Sequence, residues 1–169
     1  MTLPQVVIVG AGVTGSMLAM LVKDMGLPVN VRVIEKSRGA GGRMATHRYR
    51  RGGRRDAPVA GRADLGAQYI TTRTSPQHSV LGPIYASLLE ASVLRPFEGK
   101  VAGPNPYGDA GAEVRHFSAP SGLQAISEHF LARSEAEVQW DTALKALEVL
   151  PDGGVNLEFS GASDGRQLP

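Results

Sequence analysis

The first patterned segment is Gln5–Val9 (QVVIV), a short β-branched run of the kind that forms a strand buried on both faces. A glycine-rich turn follows at Gly10–Gly15. Over Ser16–Met25 the residues Met17, Leu18, Leu21, Val22 and Met25 recur at helical spacing, and Gly26 and Pro28 stop that helix. Val29–Ile34 (VNVRVI) predicts the next strand, which ends at Glu35. Strand, glycine turn, helix and strand in succession make a βαβ unit and hence a parallel sheet.

Further along the pattern is less regular. Ser37–Arg62 shows neither a period of 2 nor of 3.6 and reads as loop, while Asp64–Thr72 (DLGAQYITT) predicts a short strand closing on the first unit. Gly82–Ala91 is helical in pattern, with Ile84, Leu88 and Leu89 as its apolar stripe, and Pro96–Gly111 reads as loop or hairpin. Leu123–Arg133 predicts a second amphipathic helix with Leu123, Ile126, Phe130 and Leu131 facing inward. Glu137–Trp140, Ala143–Leu150 and Val155–Phe159 then predict strands, the last two joined by a Pro-Asp-Gly-Gly turn.

Composition narrows the chemistry. The 169 residues contain no cysteine, which excludes disulfides, thiolate metal sites, a cysteine nucleophile and a flavin tethered through sulfur. The formal charge of +2 hides an asymmetry, because residues 1–62 carry 11 Lys/Arg against three acids. Seven of those cations are arginines between Arg43 and Arg62, so the excess is one local cluster and the chain is not a basic nucleic-acid binder. The longest apolar run, Val6 to Val22, is interrupted by three glycines, Thr14 and Ser16, which argues against a spanning helix. No address signal is legible; cytoplasmic is the default location, with secretion as the alternative.

Gly10-Ala11-Gly12-Val13-Thr14-Gly15 fits GxGxxG, placed after a strand and opening a helix. In that motif Gly10 serves the tight turn, Gly12 the approach of backbone to a pyrophosphate, and Gly15 the packing of helix on sheet. The helix N-terminus offers free N–H groups and partial positive charge to phosphates. Glu35 ends the second strand, where a carboxylate accepts bonds from ribose hydroxyls, and an acid there disfavours a 2′-phosphate. NAD or the adenosine half of FAD therefore fits better than NADP. Gly39-Ala40-Gly41-Gly42-Arg43 is a second glycine loop, which makes sense if a pyrophosphate is gripped from two sides with Arg43 adding a charge-assisted bond.

GxGxxG, the Gly-Gly-Arg loop and Asp64-Leu65-Gly66-Ala67-Gln68-Tyr69, in that order, resemble the FAD-dependent amine oxidase superfamily. The segments DLGAQYIT (64–71), VLRP (93–96), APSGLQAISEHFL (119–131) and AEVQW (136–140) are similar to the renalase family within it. The resemblance implies an α/β fold: a Rossmann-like FAD-binding parallel sheet with a β-meander and a partial substrate domain. It divides the chain into an FAD-binding part at 1–75, the start of a substrate domain at 76–118, and a return to the FAD-binding domain at 119–169. It further implies FAD as cofactor, with Thr14, Gly42 and Arg43 at the phosphates, Glu35 at the adenosine ribose, Gln68 near the isoalloxazine ring and Tyr69 on the flavin side. From spacing alone Tyr69 reads equally as a core aromatic.

Renalase-family enzymes oxidise isomeric (2- or 6-dihydro) forms of NAD(P)H with O₂, giving NAD(P)⁺ and hydrogen peroxide. The implied partners are thus a dihydronicotinamide dinucleotide and oxygen, and neither nucleic acid nor a membrane span. The four histidines, His47, His78, His116 and His129, are scattered without metal-ligand spacing, and no catalytic side chain is nominated. Two features depart from the family pattern. The basic run His47–Arg55 reads as a solvated loop variant in preference to an RNA or anionic-membrane contact. The chain also stops at a polar tail, Gly161–Pro169, whereas renalases continue, so the resemblance implies a truncated product. The alternatives carried forward are a non-catalytic dinucleotide-binding fragment and a flavin amine oxidase.

Overall fold

The computed structural model describes residues 2–54, 56–72, 81–99 and 114–160. Arg55, His78, residues 100–111 of the expected loop or hairpin, and the tail 161–169 lie outside the described residues. Contacts divide the chain into two compact units, Met1–Gly42 with Phe130–Pro169, and Arg43–His129.

The first unit contains the βαβ unit. β1 (Gln5–Val9) pairs in parallel with β2 (Asn30–Ile34), Gln5 opposite Asn30 and Val9 opposite Ile34. On its other side β2 takes β8 (Glu137–Gln139), also parallel, giving the order β1-β2-β8. The expectation that β1 is buried on both faces fails. Only Ile8 is buried and Val9 is 54% exposed, because β1 is the sheet's edge among the described residues.

Helix α1 (Val13–Asp24) starts earlier than its pattern suggested, and the buried stripe differs from the expected one. Ser16, Ala19 and Met20 are buried, whereas Leu18 and Met25 are exposed. The physical reason is close approach. A Cβ on Gly15 would stand 2.0 Å from the Gly10 carbonyl oxygen, so around Gly15 the packed face takes the small Ser16 and Ala19, and one turn on it buries Met20. Ile8, Ala11, Ala19, Val33, Ala40 and Leu131 form the core of this unit, with Val138 and Trp140 packed against it. The expected β-meander is represented among the described residues by one antiparallel hairpin, β9 (Ala143–Val149) and β10 (Val155–Ser160). Its turn matches the sequence reading: the Leu150 amide donates to the Gly154 carbonyl at 2.8 Å, and Gly153 takes φ +84°.

The second unit corrects two expectations. The supposed loop Ser37–Arg62 contains an antiparallel hairpin, β3 (Thr46–Arg50) with β4 (Val59–Asp64). It shows no hydrophobic period because Thr46 is the one buried residue of its two strands. The basic run therefore sits on a β-ribbon. Arg48 pairs with Glu128 at 3.2 Å and Arg54 with Asp56 at 2.7 Å, while Arg50 donates to the Ala57 carbonyl. Nor does the strand near residue 70 close on the first sheet. β5 (Ile70–Thr72) belongs to a separate antiparallel sheet of order β5-β7-β6, with β6 at Arg95–Pro96 and β7 at Arg115–Ser118. α2 (Gly82–Glu90) buries Leu88 as the pattern predicts. α3 (Gln124–Ser134) buries Ile126, Phe130 and Leu131, again as the pattern predicts. No helix among the described residues is long and apolar enough to cross a membrane.

Candidate functional site

Six of the nominated residues, Gly10, Gly12, Thr14, Gly15, Glu35 and Gly42, lie in the first unit, around the carboxyl ends of β1 and β2. The three glycines of the first turn have different physical reasons. Gly10 needs its residue type for the backbone, at φ +104°, and its amide donates to the Ile34 carbonyl at 2.7 Å. Gly15 needs it for packing, as described above. Gly12 needs it for neither. Its φ of −74° and ψ of 178° suit most residues, and a Cβ there would meet no atom within 4 Å. Gly12 is the N-cap of α1, no side chain caps that helix, and no acid occupies its first turn. The first-turn amides are therefore left for an outside acceptor. Thr14 is exposed on the same turn.

The second glycine loop lies against the first. The Gly41 amide donates to the Ala11 carbonyl at 3.0 Å, and Gly12 and Gly41 form a parallel bridge. Gly41 and Gly42 hold φ +112° and +54°, and a Cβ on Gly42 would lie 3.5 Å from the Gly12 Cα. The two loops are thus drawn together.

Glu35 is buried, and both carboxylate oxygens are already engaged. Oε2 accepts the Ala11 amide and Oε1 the Ser37 amide, each at 2.7 Å. Burial alone would raise its pKa. The amides of Ala11 and Ser37, the Ser37 hydroxyl and the nearby Lys36 charge outweigh that and hold it below the ordinary value of 4.5. The side chain is therefore a clasp between the two glycine loops, and its remaining lone pairs are what it has to offer a ribose. β8 completes the surround. The Glu35 amide donates to the Gln139 carbonyl at 2.8 Å, and Thr142 and Asp141 donate to the Glu35 and Ser37 carbonyls at 3.0 and 3.2 Å. Ser37 and Thr142 were not legible in the sequence, since their contribution is hydrogen bonding across chain segments.

The clasp has a pH signature. In the window between its lowered folded pKa and the ordinary 4.5, the unfolded chain binds more protons, so stability rises with pH there. The contribution is complete above that ordinary value and is lost as pH falls through the folded one. Replacing Glu35 by Gln turns one acceptor into a donor facing an amide donor, at a cost of about 1–3 kcal/mol near neutrality. Urea midpoints followed between about pH 3 and pH 6 should show the gap between the two proteins closing toward acid. A gap that stays constant across the range would rule out the clasp.

Arg43, Gln68 and Tyr69 lie in the second unit. The Arg43 guanidinium is exposed, while its backbone is gripped by the Asp-x-Gly-Ala-Gln segment. The Ala67 amide donates to the Arg43 carbonyl at 3.4 Å, and a Cβ on Gly66 would stand 2.1 Å from that same oxygen. Gly66 is therefore a packing glycine. Asp64 is bonded within the protein: it accepts the Thr46 hydroxyl at 2.6 Å and the Leu123 amide at 3.1 Å. Gln68 is exposed. Tyr69 is 38% exposed, which removes the core-aromatic reading; its ring meets Phe97 at 6.2 Å and His116 edge-on at 5.5 Å. Among the described residues no cluster of His, Asp or Glu is placed to hold a metal ion.

With that geometry the known families can be compared. The NAD(P)-binding Rossmann-like domain family matches residues 8–82. Renalase of Mus musculus is 34% identical over 139 residues, covering 79% of this chain. The chain is a renalase homologue over those residues. It spans 36% of the mouse renalase length. Among solved structures, a putative protoporphyrinogen oxidase from Exiguobacterium sp. 255-15 superposes with a TM-score of 0.62 at 13% identity, over 94% of this chain and 57% of that one. The Diels-Alderase PyrE3 of pyrroindomycin biosynthesis gives 0.53 at 18% identity, over 94% of this chain and 30% of that one. At such identities the two superpositions speak for the Rossmann-like fold alone. They agree with the parallel sheet and glycine turn described above.

Proposed function

We propose that this chain forms the cofactor-binding part of an FAD-dependent oxidoreductase of the renalase kind, oxidising 2- or 6-dihydro isomers of NAD(P)H with O₂ to NAD(P)⁺ and hydrogen peroxide. The observation that carries the reading is Gly12, a glycine that neither backbone conformation nor packing explains, set at an uncapped helix start. A dinucleotide diphosphate explains it, because such a group needs the volume a side chain would take. The renalase homology supports a flavin as that dinucleotide and an oxidoreductase as the class of enzyme.

In this reading the amides at the start of α1 bind the diphosphate, with Thr14, Gly42 and Arg43 contributing, and Glu35 takes the adenosine ribose. Gln68 and Tyr69 attend the flavin side. Residues 1–75 and 119–169 serve the cofactor, and 76–118 begin the substrate domain. When bound, FAD supplies the hydride acceptor. The chain's own task is to bind and orient, consistent with the lack of a nucleophile–histidine–acid set in the sequence.

Titrating the 169-residue chain with FAD tests the first step: a perturbed flavin spectrum saturating near one equivalent is expected. A flavin that remains free at every concentration would remove the proposal. Peroxide release with 6-dihydro-NAD, compared with release with an amine, tests the second step. Turnover of the amine alone would move the substrate to that class.

A further inference from the structure

The β5-β7-β6 sheet of the second unit has two unlike faces. On one, Phe117 is buried and stacks on Tyr85 of α2 at 6.1 Å. The opposite face of such a sheet ordinarily carries scattered polar residues. Here it carries rings. Thr71 lies opposite His116 in the register, Phe97 bonds the His116 carbonyl through its amide at 2.9 Å, and alternation puts Tyr69 on the same side. Tyr69 and Phe97 are stacked with 26° between their planes, and His116 stands edge-on to Tyr69 at 88°. Tyr69 and Phe97 remain 38% and 37% exposed. By the same alternation Arg95, exposed, and Ser118, opposite it, share this face.

We propose that this face seats the nicotinamide mononucleotide half of the dinucleotide substrate, its ring on Tyr69 and Phe97 and its phosphate on Arg95. The inference rests on the oxidoreductase reading above for the identity of the substrate, and names the residues that would meet it. Three features commit it to a flat nitrogen heterocycle bearing a phosphate. Electron-rich ring faces attract a planar ring, and most of all the cationic oxidised nicotinamide. Thr71 holds His116 through Nδ1 at 2.9 Å, which leaves Nε2 for a carboxamide. Arg95, exposed and on the same face by register, carries a guanidinium whose planar fork matches a phosphate. Phe97 is also held in place: a Cβ on Gly99 would fall 2.6 Å from its ring, so the glycine leaves the space the ring fills.

Binding of nicotinamide mononucleotide and of ribose 5-phosphate to the full chain, followed by calorimetry or NMR titration, separates ring from phosphate. Phe97→Ala is expected to weaken nicotinamide mononucleotide by about five- to tenfold, the size of one lost ring contact, and to leave ribose 5-phosphate unchanged. Phe97→Leu, which keeps the apolar bulk, should do the same. Arg95→Ala should weaken both probes. The proposal is overturned if the unsubstituted chain shows no saturable binding of nicotinamide mononucleotide. It is equally overturned if Phe97→Leu changes that affinity less than about twofold, or if both probes lose equally at Phe97. FAD uptake is scored separately. A chain that takes up FAD without ring selectivity sinks this inference alone, and ring selectivity in a chain that never takes up FAD sinks the oxidoreductase reading alone.

Discussion

Gly12→Val should yield a folded chain that no longer takes up FAD. The substituted side chain meets no protein atom within 4 Å of its Cβ, and a φ of −74° with extended ψ suits valine. Valine is a poorer N-cap than glycine, so a fold cost of about 1 kcal/mol is expected. The same branched side chain would occupy the volume in front of the α1 amides. Two charge-assisted bonds from those amides, at about 1.5–3 kcal/mol each, would be lost, so affinity should fall by about a hundredfold or more. Thermal melts and flavin titrations on the same sample check both halves. A variant that keeps its flavin affinity would remove the diphosphate from this turn and leave Gly12 unexplained. Gly15 offers the contrast: its missing side-chain space belongs to the Gly10 carbonyl, so any loss of cofactor there would report on folding.

How far the sequence could anticipate this site depends on what each residue does. Gly10 and Gly15 were legible because a positive φ at the first and close helix–strand approach at the second demand glycine, and that demand is written in residue type; Gly12 was legible from the motif spacing. The position of Glu35 was legible as a strand-ending acid. Its second occupation, accepting the Ala11 and Ser37 amides, was not, because backbone donors carry no sequence mark. The β3–β4 ribbon was illegible for a related reason. A strand announces itself by burying alternate residues, and His47, Arg48 and Tyr49 are all exposed. On α1 the sequence misled in the opposite direction. Leu18 and Met25 supplied a helical period, whereas the buried face is that of Ser16, Ala19 and Met20, which the close approach at Gly15 turns to the sheet. In the second sheet, Tyr69, Phe97 and His116 come together from three strand ends well apart in the chain, and only the register unites them.

Asp64→Ala is expected to be the most damaging single change to the second unit, although the motif Asp64-x-Gly66-Ala67-Gln68 reads as a cofactor signature. The carboxylate joins two elements. It takes the Thr46 hydroxyl of β3 at 2.6 Å and the Leu123 amide, where α3 begins, at 3.1 and 3.2 Å from its two oxygens. Beside it Thr46 and Gln124, both buried, exchange backbone-to-side-chain bonds in both directions at 3.2 Å. A Cβ on Gly122 would fall 2.2 Å from the Thr46 hydroxyl oxygen, so the helix start approaches this threonine as closely as glycine permits. Truncating Asp64 leaves the Leu123 amide and the Thr46 hydroxyl without this acceptor. Two orphaned donors and a lost helix-start acceptor amount to about 3 kcal/mol. For a chain of this size that is roughly 6–12 °C in the melting midpoint. Asp64→Asn keeps one acceptor oxygen and should recover part of the loss. If Asp64 instead served the cofactor directly, the alanine variant would melt with the unsubstituted protein in the absence of FAD and differ only in its presence. Melting both proteins with and without FAD therefore decides between a carboxylate that builds the fold and one that touches the nucleotide.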